Sequence, residues 1–264
     1  MDLGLSGRGI LVTGGSSGVG LATVRMLLAE GAKVATCGRR PDALAGALAG
    51  LAERYGDDHL FHAPCDVRDA TAVDAFVNRA AERLGGLDGL VNNAGASRMK
   101  RLHETTAEDW RDELDLKFSG VLNPTLAALP HLRTSDAASV VNINAVLAKQ
   151  PEPHLITTSA ARAGILNLSA SLAQELAADG VRVNSVCLGL IDTGQWTRRY
   201  QADDAGIDYP TWQAEFAARR GIALGRFGTA DEVAYAVTTL LSPRAAYVTG
   251  ASVDVAGGVH RGTH

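Results

Sequence analysis

The sequence predicts an α/β fold, a doubly wound seven-stranded parallel sheet in a single domain over 1–264, and two observations carry that prediction. Short β-rich apolar runs alternate with longer Ala/Leu-rich segments of helical period, a pattern that demands a parallel sheet covered on both faces. The first strand also runs straight into a glycine-rich turn, T-G-G-S-S-G-V-G at 13–20, and from there into a helix. Strands are expected at 9–13, 33–37, 59–65, 87–92, 139–144, 182–187 and 252–255. Helices are expected between them at 18–30, 42–55, 70–84, 106–129, 159–179 and 229–241, with Gly31, Gly56, Gly85 and Gly180 as stop signals. In a sheet of this kind ligands bind beyond the carboxyl ends of the strands, where the strand order reverses, so functional residues are expected just after strands. The stretch 192–224 breaks the rhythm, holding Trp196, Arg198, Arg199, Tyr200 and Trp212, and a long insertion at that place is expected to be a substrate lid.

Composition narrows the function. The chain has 264 residues, 46% of them hydrophobic, enough for one sizeable core. A net charge of −4 gives no basic field for counterion release, which argues against nucleic acid as a partner. Cys37, Cys65 and Cys187 are far apart in apolar runs with no metal-ligand spacing, so neither a disulfide framework nor a metal site is expected. A reducing, cytoplasmic setting fits that cysteine usage. No apolar run approaches the ~18 residues that span a bilayer, and Asp2 and Arg8 precede any short apolar run, so neither a membrane partner nor a signal peptide is expected.

The glycine-rich turn puts backbone N–H groups and a helix N-terminus where a pyrophosphate is held. Other short stretches follow at characteristic places: C-D-V at 65–67, N-N-A-G at 92–95, R-V-N at 182–184, L-G-L-I-D-T at 188–193 and V-T-G at 248–250. In order and spacing they resemble the short-chain dehydrogenase/reductase family over nearly the whole chain. The resemblance implies a single-domain Rossmann-type fold that binds a nicotinamide dinucleotide, commonly as a homo-oligomer (tetramer or dimer). It implies that Gly14, Ser16, Ser17, Gly18 and Val19 cradle the pyrophosphate, and that Asp66 and Val67 face the adenine. By the same resemblance Asn93, Ala94 and Gly95 line the ribose and Thr193 meets the carboxamide. Where NAD enzymes of this kind carry an acid after the second strand, this chain reads G-R-R, and Arg39 with Arg40 favours NADP(H) over NAD(H).

The family's catalytic set, an Asn, a Ser and a Tyr-x-x-x-Lys, is absent. Alignment without gaps puts Lys117 at the Asn position, Ala145 at the Ser, Thr158 at the Tyr and Arg162 at the Lys. A Thr hydroxyl does not ionise near neutral pH as a lysine-activated phenol does, and an Arg does not relay a proton, although it still holds a ribose diol. His154 lies four residues before Thr158, so an early helix start would align His154, Thr158 and Arg162 on one face, with His154 as the replacement acid and Lys117 and Arg162 as electrostatic support. Pro124 is expected to free the carbonyl of Gly120 and kink the helix that carries Lys117. Arg98, Lys100, Arg101 and His103 border the cleft as either an anion-binding loop or a solvated face. The lid aromatics either cover an aromatic small-molecule substrate or belong to the core. Three functions remain open at this point: an NADP(H)-dependent oxidoreductase with a non-standard acid acting on a carbonyl or alcohol, a non-redox isomerase or lyase on the same fold, and a catalytically silent scaffold.

Overall fold

The computed structural model describes residues 2–260 and 262. Its elements run β1 (Gly9–Thr13), α1 (Gly18–Ala29), β2 (Lys33–Gly38), α2 (Pro41–Tyr55), β3 (Leu60–Pro64), α3 (Ala70–Leu84), β4 (Gly89–Asn92), α4 (Ala107–Leu132), β5 (Ser139–Ala145), α5 (Ile156–Glu175) and β6 (Arg182–Leu188). The short strand β7 (Ile191–Asp192), the helices α6 (Gly194–Asp203) and α7 (Tyr209–Arg219), β8 (Gly228–Thr229), α8 (Ala230–Leu241) and β9 (Ser252–Val255) complete it. The main sheet is parallel throughout with order β3-β2-β1-β4-β5-β6-β9, and β7 pairs with β8 in a separate two-stranded ribbon. Strand order reverses between β1 and β4, which opens a crevice beyond Thr13 and Asn92.

The alternation in β1 shows why both faces are buried. Ile10 and Val12 face a core built with Val24, Leu27, Val233 and Val237 of α1 and α8, while Leu11 faces a second core with Phe76, Val77, Ala128 and Leu132 of α3 and α4. Several helix starts, those of α3, α4, α7 and α8, are set by side-chain caps. Asp69 accepts from the N–H of Ala72 at 3.0 Å, and Thr106 with Asp109 and Thr229 with Glu232 form reciprocal capping boxes.

Helix α4 continues through Pro124 and Pro130 to Leu132, three residues past the expected end. Its buried stripe reads Asp109, Glu113, Lys117, Val121, Thr125, Ala128 and Leu132, so the N-terminal half of an otherwise apolar face carries charge inward. Helix α5 begins at Ile156, leaving His154 two residues ahead of it in a turn; the expected stripe of His154, Thr158 and Arg162 is therefore not formed.

The region 192–224 folds as β7, α6 and α7 over a core of its own. Trp196, Trp212, Phe216 and Phe227 meet at centroid separations of 4.9–6.4 Å, and Tyr200 and Tyr209 pack on Trp212. Trp212 is 1% exposed and donates its indole N–H to Asp203 at 2.7 Å. Of the two readings of the lid aromatics, the core reading is the one this packing fits.

Candidate functional site

A groove of about 620 Å³ lies in the crevice at the reversal of strand order. Its floor is the turn after β1. Gly14 (φ +77°) and Gly18 (φ +55°) adopt left-handed backbone that L side chains resist. A Cβ on Gly18 would stand 3.3 Å from Thr193 Cγ2, so the missing side chain leaves a cradle between the turn and the start of α6. Ser16, Ser17 and Val19 line the same floor. The turn is fixed from β4: Asn93 donates its amide to the carbonyls of Thr13 (2.9 Å) and Gly14 (3.1 Å), and the N–H groups of Asn93 and Ala94 donate to Thr13 Oγ1. Asn93 thus spends its side chain on bracing the crevice, while residues 93–95 form the wall.

One end of the groove is bounded by Arg39, Arg40, Asp66 and Val67. Asp66 is held by Arg68 at 2.9 Å, which lowers its pKa and neutralises it locally. Arg39 and Arg40 are exposed, and among the described residues neither has a carboxylate partner within salt-bridge distance. The opposite end is bounded by Ala96, Ser97, Ile143, Arg162 and Leu188, with Thr193, Gln195 and Arg198 from the start of α6. Sequence reasoning missed Arg198 as a wall residue; its signal was its place one turn after Thr193.

Behind that inner end lies a buried polar cluster. Lys117 and Glu113, at i and i+4 on α4, have side chains only 3% and 1% exposed, with Nζ 3.4 Å from Glu113 Oε1. Nζ also donates to the carbonyl of Ala96, and Thr158 donates its hydroxyl to Glu113 Oε1 at 2.9 Å. Burial, with a smaller push from Arg162, lowers the Lys117 ammonium to about 8 against the pull of Glu113. Gly95 is the wall between this ammonium and the groove: a Cβ there would lie 3.4 Å from Nζ, and glycine leaves that space open. Arg162 donates from Nη1 to the carbonyl of Ile143 at 2.5 Å, and its buried Nε has no partner. Burial lowers its pKa too, yet a guanidinium starts so high that it stays charged.

The structure thus brings Lys117, Thr158 and Arg162 together and adds Glu113. His154 stands apart from the groove walls, with Nε2 3.1 Å from Glu152 Oε2. Burial and the positive charges of Arg199 and Arg101 lower its pKa, against the adjacent Glu152 carboxylate. Arg98 and Lys100 are neutralised by Asp109 and Asp112 at 2.8–3.3 Å, which makes that part of the loop a self-paired surface. Arg101 and His103 are exposed. The three cysteines are free and buried, no metal-binding cluster occurs among the described residues, and no described helix is long and apolar enough to cross a membrane.

The groove fits a dinucleotide on the structure's own terms: a glycine cradle for the pyrophosphate, two uncompensated arginines at one end, and an orphaned Arg162 Nε at the other. Comparison with known proteins agrees. The model of the enoyl-(acyl carrier protein) reductase family matches residues 14–260. A short chain oxidoreductase from Pseudomonas aeruginosa PAO1, described as containing an atypical catalytic center, is 46% identical, with a TM-score of 0.95 over 98% of this chain and 99% of that one. Its NADPH-bound form superposes with a TM-score of 0.92. L-sorbose reductase from Gluconobacter frateurii, solved with NADPH and L-sorbose, is 30% identical with a TM-score of 0.93 over 99% and 100% of the two chains. Among curated sequences, 2-(S)-hydroxypropyl-CoM dehydrogenase 3 of Xanthobacter autotrophicus is 33% identical over 256 residues, 95% of each chain.

Proposed function

The chain belongs to the short-chain dehydrogenase/reductase family, and from that premise we propose an NADP(H)-dependent oxidoreductase acting on a carbonyl or alcohol, with Lys117 in place of the family's phenol as proton source. The observation that carries this reading is the ammonium of Lys117, poised at about 8 directly beneath the side-chain-free wall at Gly95.

When bound, the nicotinamide supplies the hydride in reduction and takes it up in oxidation. The protein's share is to hold the dinucleotide and to move a proton. Gly14, Ser16, Ser17, Gly18 and Val19 would hold the pyrophosphate, and Thr193 would meet the carboxamide. Arg39 and Arg40 grip the 2′-phosphate, and Asp66, Val67 and Asn93 to Gly95 form the walls around adenine and ribose. Arg162, pinned by Ile143 and with its Nε free, presents positive charge to a ribose hydroxyl and to the oxygen that becomes negative when a carbonyl is reduced. Lys117 gives a proton toward that oxygen, Glu113 keeps the ammonium in place, and Thr158 fixes Glu113. This assignment moves the acid from His154, which stands apart from the groove walls, to Lys117. NADPH in two of the similar structures supports the cofactor reading.

Exposed Tyr235, Leu114 and Leu126 on α8 and α4 support self-association as a tetramer or dimer, to be read by light scattering. The free buried thiols fit a reducing, cytoplasmic setting. The test of the central reading is titration with NADPH and NADH separately, followed by a carbonyl panel monitored at the reduced-nicotinamide absorbance. NADPH is expected to bind about tenfold to a hundredfold tighter, from charge-assisted contacts of ~1.5–3 kcal/mol. A folded protein that binds neither nucleotide would end the proposal.

A further inference from the structure

At the inner end of the groove one wall ends at Ala96 and Ser97 and the other at Gln195 and Arg198. In the chain these are followed closely by Met99 and Lys100 and by Arg199. The two meet where Arg199 Nη1 lies 3.7 Å from Met99 Sδ. Lys100 pairs with Leu155 in an isolated bridge, so the turn holding Glu152 and His154 forms the third side. This corner adjoins the end of the groove that holds Arg162 and Gly95.

Arg199 is unusual among the cations there. Its guanidinium lies over the rings of Trp196 (5.2 Å) and Phe216 (4.9 Å), which fixes its plane, and its polar contact is a thioether, a weak acceptor. Among the described residues no carboxylate stands within salt-bridge distance of it. The neighbouring charges are already spoken for: Glu152 is paired with Arg220 and lies beside His154, while Arg98 and Lys100 belong to Asp109 and Asp112. Arg101 on the nearby loop is exposed; its backbone N–H donates to Glu104 at 2.6 Å, and among the described residues its guanidinium forms no salt bridge. A stacked guanidinium with no carboxylate partner, near a second arginine whose charge also reaches His154, is an arrangement that recognises a carboxylate or another planar or tetrahedral anion.

We infer that Arg199, with Arg101 nearby, forms an anion-recognition subsite at this corner, so that the preferred substrates are carbonyl or alcohol compounds bearing a carboxylate. The subsite deepens the oxidoreductase reading and rests on it. An incoming carboxylate takes the place of the Met99 sulfur on the guanidinium, and the reacting carbonyl then lies inward, toward Arg162.

The experiment uses a homologous series of straight-chain oxo-carboxylates and their methyl esters, in turnover with NADPH and in calorimetric titration of the NADPH-loaded protein. The wild-type chain is expected to favour one oxo-carboxylate over its ester in KM or Kd by about tenfold or more, as a charge-assisted contact implies. Arg199→Gln and, separately, Arg101→Gln are expected to cut that ratio; Arg101→Gln removes an exposed side chain and serves if loss of the Arg199 stacking unsettles the lid. Esters and acids used or bound equally well by the wild-type chain, or a ratio untouched in both variants, overturns the subsite while leaving the oxidoreductase reading intact. Binding of an oxo-carboxylate that depends on Arg199, without turnover of any compound, supports the subsite and counts against the redox reading instead.

Discussion

Replacing Lys117 with Met keeps the length of the side chain and deletes its proton. In the folded chain that ammonium sits at about 8, with Thr158 Oγ1 committed to Glu113, Ala145 lacking a hydroxyl, and Arg162 charged at every accessible pH. With the family's phenol absent, deleting the Lys117 proton is expected to cost a factor of ~10²–10⁴ in the reductive rate constant. Single-turnover decay of NADPH absorbance between about pH 6 and 10 is the assay. The wild-type constant should be level at low pH and fall above about 8, as the proton is lost; oxidation of the alcohol should show the mirror dependence. Lys117→Met should show a low rate with no inflection, while its NADPH dissociation constant, set by the phosphate loop and the arginine pair, stays near that of wild type. A variant that turns over at the wild-type rate, or keeps the inflection near 8, would refute the assignment of the proton to Lys117.

Removing both Arg39 and Arg40 as glutamines should weaken NADPH binding by about ten- to a hundredfold and leave NADH nearly unchanged, measured by nucleotide fluorescence. Gly18→Val should weaken both nucleotides while the far-ultraviolet spectrum stays intact, because its side chain fills the cradle facing Thr193 and its backbone is strained at φ +55°. For stability, Lys117→Met alone leaves the Glu113 carboxylate buried without its ammonium and should cost about 3–5 kcal/mol in denaturant unfolding, whereas Glu113→Leu with Lys117→Met should recover most of it. The sign of the pH effect follows from the lowered pKa of Lys117: between about 8 and the usual 10.5 the unfolded chain binds the extra proton, so stability rises with pH across that window and is lost as pH falls through 8, by roughly 3 kcal/mol in all. Alkaline unfolding curves of wild type and Lys117→Met, compared over that window, check it.

The main sheet was legible from the chain because strand and helix periods are properties of consecutive residues; its seven strands differ from the expected ones only at ends such as 59–65 against Leu60–Pro64, while the two-residue strands β7 and β8 were not foreseen. The cofactor groove was legible for a related reason. Its parts are backbone positions at the carboxyl ends of strands, marked by glycine and arginine, and the resemblance supplies their order. What was hidden depends on side chains from elements far apart in sequence. Glu113 sits four residues before Lys117 on α4, and nothing in E-L-D-L-K distinguishes an exposed ion pair from one turned inward until α5 is laid against it. The direction of His154 turned on two residues of helix start, Ile156 rather than 154, which hydrophobic period does not resolve. The basic loop looked open to an anion because Asp109 and Asp112, its partners, lie on a separate helix.

The ring cluster over the groove sets a limit on time as well as on shape. Lifting that roof to admit a substrate would bring at least two of its large rings into water, at ~150 Å² each and ~25 cal/mol per Å², or roughly 7 kcal/mol. A raised state would then hold only about one molecule in 10⁵, too few to serve as the usual route in and out during turnover. Traffic is left to pass along the rim, where a single flexible thioether, Met99, rests on Arg199 and yields by a change of rotamer rather than by movement of a helix.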